Sequence, residues 1–154
     1  MSFFVHETSI VDSGAIIGEN TKIWHFSHIC STAKIGRNVI IGQNCYIDKG
    51  VTIGDYCKIQ NNVSIYNGVT IKDKVFIGPS VVFTNDLYPR AQHQFNKWEI
   101  TKTLIDSGAS IGANSTIVCG VTLNSNCLVG AGSVVTKNVA EDTLVYGNPA
   151  KPKL

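Results

Sequence analysis

Two polar residues of the segment 84–104 have side chains suited to orienting a nucleophile or moving a proton. Asn85 carries an amide that accepts through its oxygen and donates through its nitrogen, but it cannot act as a base. Such a group orients an attacking nucleophile or stabilises an oxyanion, although it is equally suited to capping a turn. His93 carries an imidazole, the side chain most often used as a general base. Both are candidate catalytic residues.

A second set of polar and aromatic side chains is suited to binding a long ligand. Trp24, His25 and His28 lie close together in the sequence, and an indole can stack on the flat ring of a base. The competing interpretation is a packed N-terminal layer or a subunit contact. Residues 60–62, Gln-Asn-Asn, place three amides in one turn. These amides either bind sugar hydroxyls or form a ladder between successive repeats, and both interpretations stay open.

A third set lies toward the C-terminus. Gly112-Ala113 and Gly130-Ala131 are the same dipeptide separated by 18 positions. A column without side chains would leave a groove with exposed backbone groups, which suits a narrow ligand containing amides, although turn glycines explain the same pattern. Lys137 and Lys151 follow, and a lysine binds phosphate as a point charge when it is not simply solvated.

Composition excludes several classes of protein. The chain has 154 residues, a net charge of +2 and 16% charged residues, which is too mild a charge to indicate a nucleic-acid or acidic-membrane partner. No apolar run reaches the length of a transmembrane helix, and no signal peptide is visible, so we expect a cytoplasmic protein. The five cysteines form no Cys-x-x-Cys pair, so we expect neither disulfides nor a metal ion.

A six-residue repeat must position these candidates. Every sixth residue from Val11 to Ile77 is Val or Ile, and the series continues from Ile105 to Val135 with one Leu. The residue two positions before each of these is small or β-branched. An α-helix cannot keep a period of six on one face, because it turns once every 3.6 residues. A solenoid with three flat faces and 18 residues per coil can, and it places the aliphatic column inside.

The repeat is interrupted once. The spacing from Phe83 to Ile105 is not a multiple of six, so residues 84–104 form an insertion that leaves the repeat and returns to it. Loops of this length inside a compact domain are usually functional or disordered. This insertion carries aromatic residues, including Tyr88, and the cation Arg90. We expect it to wall off a cleft beside a neighbouring subunit rather than to be a tolerated surface excursion.

The recurring pattern aliphatic-Gly-x-x-small-x, over residues 5–140, resembles the left-handed parallel β-helix of the hexapeptide-repeat acyltransferases. The resemblance implies the left hand, which the spacing alone does not set. The expected fold is therefore all-β: one left-handed parallel β-helix domain over 1–154, with the loop insertion and a short C-terminal tail, 140–154.

Four stretches narrow the resemblance to the nucleotide-sugar N-acetyltransferases that act on a 3-amino group: residues 24–29, 60–66, 78–85 and 89–91. Two C-terminal stretches, 130–137 and 147–151, are similar to many hexapeptide acyltransferases and indicate acyl-CoA use. The resemblance implies a homotrimer in which acetyl-CoA lies along the β-helix between two subunits. It also implies an asparagine at the position of Asn85, with no obvious side-chain base.

The resemblance gives the candidates their roles. Asn85 orients the sugar amine or stabilises the oxyanion. His93 is the alternative base, because several other hexapeptide acetyltransferases use a histidine in that role, although the 3-amino-sugar subgroup does not clearly match a histidine at this place. The nucleotide-linked amino sugar is expected to contact Trp24, His25, His28, Gln60, Asn61, Asn62, Tyr88 and Arg90. Acetyl-CoA is expected to contact Gly112, Ala113, Gly130, Ala131, Lys137 and Lys151.

The acceptor is less defined than the reaction. Since the chain has only two arginines, Arg37 and Arg90, a dTDP-linked 3-amino-3,6-dideoxyhexose for surface polysaccharide synthesis is favoured over a UDP-linked 2-acetamido-3-amino-glucuronate, whose carboxylate needs a cation. A different small acceptor is a further alternative. A γ-type carbonic anhydrase would need three histidines at one zinc, which His25, His28 and His93 do not suit. A purely structural solenoid would need neither the insertion nor the Gly-Ala dipeptides.

Overall fold

The computed structural model describes residues 2–92 and 98–154, and all regular structure within them is β. The strands are two or three residues long, and 22 of them wind into a parallel β-helix with three faces. The fold class is therefore confirmed as an all-β solenoid. Within the described residues we find no helix with the length and apolar character that a membrane span requires.

Face 1 contains eight parallel strands and one terminal antiparallel strand. They are β1 (Phe4–Val5), β4 (Lys22–Ile23), β7 (Ile40–Ile41), β10 (Lys58–Ile59), β13 (Phe76–Ile77), β16 (Ser110–Ile111), β19 (Leu128–Val129), β21 (Leu144–Tyr146) and β22 (Lys151–Pro152). The last two strands continue this face into the tail, where β22 folds back antiparallel on β21.

Faces 2 and 3 are entirely parallel. Face 2 consists of β2 (Ile10–Val11), β5 (His28–Ile29), β8 (Tyr46–Ile47), β11 (Ser64–Ile65), β14 (Val82–Phe83), β17 (Thr116–Ile117) and β20 (Val134–Val135). Face 3 consists of β3 (Ile16–Ile17), β6 (Lys34–Ile35), β9 (Thr52–Ile53), β12 (Val69–Ile71), β15 (Thr103–Ile105) and β18 (Thr122–Leu123).

The pairing register explains the repeat. Ile47 pairs with Ile29 on one side and with Ile65 on the other, so each residue meets the residue 18 positions away. The insertion shifts this register without breaking the ladder, since Phe83 pairs directly with Ile117. The loop leaves face 2 after β14 and re-enters face 3 at β15. The site candidates on this corner are therefore held by continuous strands on both sides.

The two predicted columns form the core. The aliphatic column is almost fully buried, with Ile29, Ile47 and Ile65 each 0% exposed. In the small column, hydroxyls join successive coils. Ser27 Oγ donates to the carbonyl of Gly42 at 2.9 Å and accepts from the amide of Cys45 at 3.0 Å. The corners therefore satisfy their buried polar groups with small side chains, which explains why this column excludes large ones.

The cysteines of the small column use the same geometry. Cys45 Sγ contacts the carbonyl oxygen of Gln60 at 3.1 Å, and Cys57 Sγ contacts that of Lys72 at 3.0 Å. Burial raises the pKa of Cys57 and of Cys127 to about 11. Cys45, Cys57 and Cys127 are therefore thiols of the buried core.

Candidate active site

Asn85 lies at the root of the insertion and is held by the strands around it. Its side-chain Nδ2 donates to the backbone carbonyl of Asn67 on the preceding coil, at 3.1 Å. Its own carbonyl accepts from the amide of Thr101 at 2.9 Å, so the two ends of the insertion meet here. Because the Asn67 oxygen can only accept, the amide nitrogen must face it. The Asn85 Oδ1, to which no described residue donates, is left as an acceptor.

Asp48 supports this arrangement from one coil further back. Its Oδ2 accepts from the amide of Asn67 at 3.0 Å, so the residue whose carbonyl Asn85 contacts is held through its amide by a carboxylate. The other oxygen, Oδ1, accepts from the Tyr46 hydroxyl at 3.1 Å and from the Lys49 amide at 2.8 Å. Hydrogen bonding with Cys30, burial and the charge of Asp48 raise the pKa of Tyr46, so its phenol stays protonated and donates.

Sequence reasoning missed Asp48, Asn67 and Tyr46. In the six-residue repeat, Asp48 occupies a position typical of a turn residue. Read in steps of 18, Asn67 and Asn85 occupy the same column, and Asp48 precedes that column by one residue. This spacing is the only signal in the sequence that could have grouped them.

Trp24 and His25 lie on a different corner from Asn85. The His25 ring stacks on His6 with centroids 3.5 Å apart, and Trp24 contacts Phe4 at 5.3 Å. They form an aromatic layer at the N-terminal end of the solenoid, which agrees with the interpretation of a packed first coil. Trp24 remains 39% exposed, so part of its indole is accessible to a ligand.

His28 is separate from that layer. It lies on face 2, where its Nε2 is 3.1 Å from Asp12 Oδ1 and its ring meets Tyr46 edge-on at 5.8 Å. Three strand spacings, from β5 across β8 and β11 to β14, separate His28 from the coil of Asn85, which corresponds to roughly 14 Å at about 4.8 Å per spacing. The predicted grouping of His28 with Trp24 and His25 is therefore divided between one corner and face 2.

The side-chain amides of Asn61 and Asn62 are engaged in a ladder between coils. Asn61 Oδ1 accepts from the Gln43 amide at 2.9 Å, and Asn62 Oδ1 accepts from Asn44 Nδ2 at 3.0 Å. The sequence left two interpretations open, sugar binding and a ladder between coils, and the structure shows the ladder. The Gln60 carbonyl also has a partner in the small column, the Cys45 thiol. Sugar binding by these residues stays a prediction.

The described part of the insertion projects from the corner. Tyr88 is 72% exposed, and Arg90 donates to the carbonyl of Pro89 at 2.9 Å. Trp98, the first described residue on the returning side of the insertion, is 42% exposed. The predicted base His93 lies outside the described residues. An exposed tyrosine and an exposed tryptophan on one projecting segment suit a wall that packs on something beyond this chain.

The Gly-Ala dipeptides have a stacking role that the sequence did not reveal. A Cβ placed on Gly112 would lie 2.5 Å from the amide nitrogen of Ala131, and one on Gly130 would lie 2.9 Å from the Tyr146 Cβ. The space left by the missing side chains is filled by the next coil and is not a groove. Contacts of Gly112, Ala113, Gly130 and Ala131 with acetyl-CoA stay a prediction, which now rests on their backbone groups alone.

The last coil forms a cavity that is lined by both lysines predicted to bind phosphate, Lys137 and Lys151. It encloses about 560 Å³ between β20 and the hairpin of β21 and β22. Its floor is apolar, and Lys137 and Lys151 both line it. Two cations beside an apolar floor suit a flat aromatic ring that carries phosphate.

Comparison with known proteins decides the family. The family model described as bacterial transferase hexapeptide (six repeats) matches residues 14–49, 50–85 and 102–137. The chain belongs to this family. The matched ranges stop at Asn85 and resume at Lys102, so the insertion recognised from the broken period is also an interruption of the family pattern.

Two named relatives of this hexapeptide transferase differ in how much of their length it spans. It is 48% identical, over 97% of its own length and 77% of the relative's, to the dTDP-3-amino-3,6-dideoxy-α-D-galactopyranose 3-N-acetyltransferase of Aneurinibacillus thermoaerophilus. It is 32% identical to the bifunctional protein GlmU of Trichodesmium erythraeum, of which it spans only 27%.

Solved structures share the fold of this hexapeptide transferase. A hexapeptide-repeat acetyltransferase from Vibrio cholerae complexed with acetyl-CoA has a TM-score of 0.61 and 32% identity, covering 74% of this chain and 69% of that one. PerB from Caulobacter crescentus, in complex with CoA and GDP-perosamine, has a TM-score of 0.60 and 21% identity, covering 97% of this chain and 56% of that one. The latter identity supports the fold alone.

Proposed function

We propose that this hexapeptide transferase moves an acetyl group from acetyl-CoA to the 3-amino group of a dTDP-linked 3-amino-3,6-dideoxyhexose. The relative that is 48% identical carries that substrate class in its name. The observation that carries the proposal is the Asn85 amide, which is fixed by Asn67 with its oxygen as a spare acceptor at the loop root.

The reaction needs an uncharged amine aimed at a thioester carbonyl. Asn85 Oδ1 accepts one N–H of the amine, which directs the nitrogen lone pair toward the carbonyl carbon. The C–N bond forms, the C–S bond of the thioester breaks, and the products are an amide and CoA. The amine proton passes to the departing CoA sulfur, since an amide side chain cannot accept it. His93 remains the alternative base.

The N-terminal coils supply a ledge for the nucleotide end of the acceptor. Tyr46, Tyr66 and His28 form an aromatic column on face 2, with ring centroids about 6 Å apart. Trp24 offers a further exposed ring at the neighbouring corner. At the other end, Lys137 and Lys151 are proposed to bind the phosphates of CoA in the C-terminal cavity.

Charge distribution favours a neutral sugar over a hexuronate. Arg37 is engaged with Asp55 at 3.1 Å, on a corner of the solenoid away from Asn85. Arg90 is then the arginine nearest the candidate site in the sequence. The carboxylate of a hexuronate would therefore have few cationic side chains to pair with.

Two further properties belong to the same proposal. We propose a homotrimer, because the projecting insertion needs a surface to pack on and a cleft with two walls would then form between subunits. We propose a cytoplasmic location, since acetyl-CoA and nucleotide sugars are cytoplasmic substrates.

The decisive experiment is a mass-spectrometric assay with acetyl-CoA and a panel of nucleotide sugars. The panel contains dTDP-linked 3-amino-3,6-dideoxygalactose and 3-amino-3,6-dideoxyglucose, the UDP-linked 3-amino-glucuronate, and a dTDP-4-amino sugar. We expect one added acetyl group on a dTDP-3-amino sugar. Acetylation of the UDP-linked compound alone would replace the acceptor, and no product with any member would overturn the proposal.

A further inference from the structure

Three side chains that differ in chemistry meet at the N-terminal end of face 2. Asp12 follows β2, and His28 and Cys30 flank the last residue of β5, one coil further on. Because Val11 pairs with Ile29, Asp12 stacks directly over Cys30. Their donor atoms, a carboxylate oxygen, an imidazole nitrogen and a thiol sulfur, all lie within 4.8 Å of one another.

This donor set matches the ligands of zinc. Zn²⁺ binds histidine nitrogen, carboxylate oxygen and cysteine sulfur at about 2.0–2.3 Å, so two ligands of one tetrahedral ion lie roughly 3.3–3.7 Å apart. His28 Nε2 and Asp12 Oδ1 are already 3.1 Å apart in a hydrogen bond, and a cation would take the place of its proton. Only small side-chain movements are needed to surround an ion.

The surroundings support the geometry. Cys30 is only 9% exposed, whereas the side chains of His28 and Asp12 are 41% and 39% exposed. The sulfur would therefore close the inner side of the site, while the other two ligands leave an entry path. The Tyr46 ring packs edge-on against His28 at 5.8 Å, which restricts the imidazole. Fixed ligand orientation of this kind strengthens metal binding.

We propose that Asp12, His28 and Cys30 form a binding site for a single Zn²⁺ ion, with the fourth position open to solvent. Binding replaces the proton of the hydrogen bond between Asp12 and His28 and releases the thiol proton of Cys30. The ion ties the first coil of the solenoid to the second. It does not contact the reacting atoms, because roughly three strand spacings separate it from Asn85. Asp12 and Cys30 lie 18 positions apart in the sequence, so only the stacking of coils brings the three residues together.

The test uses the full-length, tag-free protein after treatment with a chelator, and it needs no activity. Titration with CoCl₂ should saturate at one equivalent and produce the visible absorption of tetrahedral Co²⁺ with a thiolate charge-transfer band. ZnCl₂ should displace that spectrum. In competition titrations, Asp12→Asn, His28→Gln and Cys30→Ser should each weaken the affinity at least tenfold, and Cys30→Ser should abolish the charge-transfer band.

Cys119→Ser is the matched control, because Cys119 is another buried thiol, and it should keep wild-type affinity. Asp12→Asn preserves side-chain size. If this variant binds Co²⁺ more weakly and still has the wild-type circular dichroism spectrum, the loss is due to the missing ligand and not to unfolding. Absence of a saturable Co²⁺ spectrum in the wild type, or wild-type affinity in all three ligand variants, would overturn the proposal.

Discussion

The side-chain amide of Asn85 donates to the main-chain carbonyl of Asn67, and the two residues occupy the same place on successive coils. The stacking of the solenoid therefore decides which end of the Asn85 amide is available. A hydrogen-bond acceptor, not a donor, is offered at the loop root. This favours orientation of the amine over stabilisation of the oxyanion, two roles that the sequence left equal.

Replacement of Asn85 with alanine should lower kcat/KM about a hundredfold or more, in the range expected for the loss of an orienting or oxyanion contact. Thermal unfolding measured beside the kinetics separates this from a capping role. If Asn85 only caps the turn, the melting temperature falls while the rate per folded molecule stays near that of the wild type.

His93→Ala should cost less than about tenfold in kcat/KM, because a true general base is usually worth a hundredfold or more. The measurement is the pH dependence of kcat/KM for both proteins. A severe loss, together with a flattened acid limb, would move the role of base to His93 and remove the CoA sulfur as the proton acceptor.

Asp48→Asn should lower kcat about tenfold with a smaller change in KM. The new amide can still accept from the Asn67 amide, but its NH₂ group then faces the Tyr46 hydroxyl and the Lys49 amide, which are both donors. Asn67 then shifts together with the carbonyl that holds Asn85, and Asn85 is misplaced relative to the amine.

Asp106→Asn is the control for this change. Asp106 follows its strand as Asp48 does, and it accepts from the Ser107 amide at 2.7 Å and from the Ser125 hydroxyl at 3.2 Å, away from Asn85. It should lose stability without a comparable loss of kcat. Equal kinetic losses in the two variants would show that Asp48 has no special link to Asn85.

The aliphatic column made the fold predictable from the sequence. Inward side chains of a β-helix repeat at a fixed interval. Ile29, Ile47 and Ile65 therefore predict three stacked strands even when the turn conformations are unknown. The hand of the helix was not predictable in this way, because six-residue spacing is the same for either hand.

The candidate site was predictable only in part. Asn85 stood out because it begins the interruption, but its partners come from earlier coils and carry no local signature. Gly112 illustrates the opposite error: a missing side chain indicated a groove, whereas the backbone of Ala131 occupies that space. The sequence pattern predicts the column in which a residue lies, but it does not predict which side of that residue is occupied by the next coil.

Replacement of residues 88–98 by a short Gly-Ser linker should leave the β-helix folded and abolish acetyl transfer. Thr101 donates to the Asn85 carbonyl and Thr103 to that of Gly68, so both ends of the loop stay anchored in the shortened chain. Circular dichroism and a thermal melt test the fold, and the acetyl-transfer assay tests the site. A shortened chain with full activity would show that the insertion is dispensable.

Lys151→Ala and Lys137→Ala should each raise the KM for acetyl-CoA by about tenfold at low salt, since each removes a point charge from the cavity. The effect should shrink as ionic strength rises, because salt already screens the same attraction. Lys58→Ala, an exposed lysine on face 1, is the control and should leave the KM unchanged. Equal KM values in all three variants would exclude the C-terminal cavity as the phosphate site.

Stability should fall as the pH rises from about 9 to about 11. Burial raises the pKa of Cys57 and of Cys127 from 9.0 to about 11, so both thiols stay neutral in the fold at a pH where they ionise in the unfolded chain. Their contribution, on the order of 2 kcal/mol each, is complete below pH 9 and is lost as the pH rises through 11. Urea unfolding at pH 8, 9.5 and 11 measures this. Cys57→Ser, whose hydroxyl can donate to the Lys72 carbonyl as the thiol does, should flatten the decline. An unchanged pH dependence in that variant would show that other groups cause the alkaline loss.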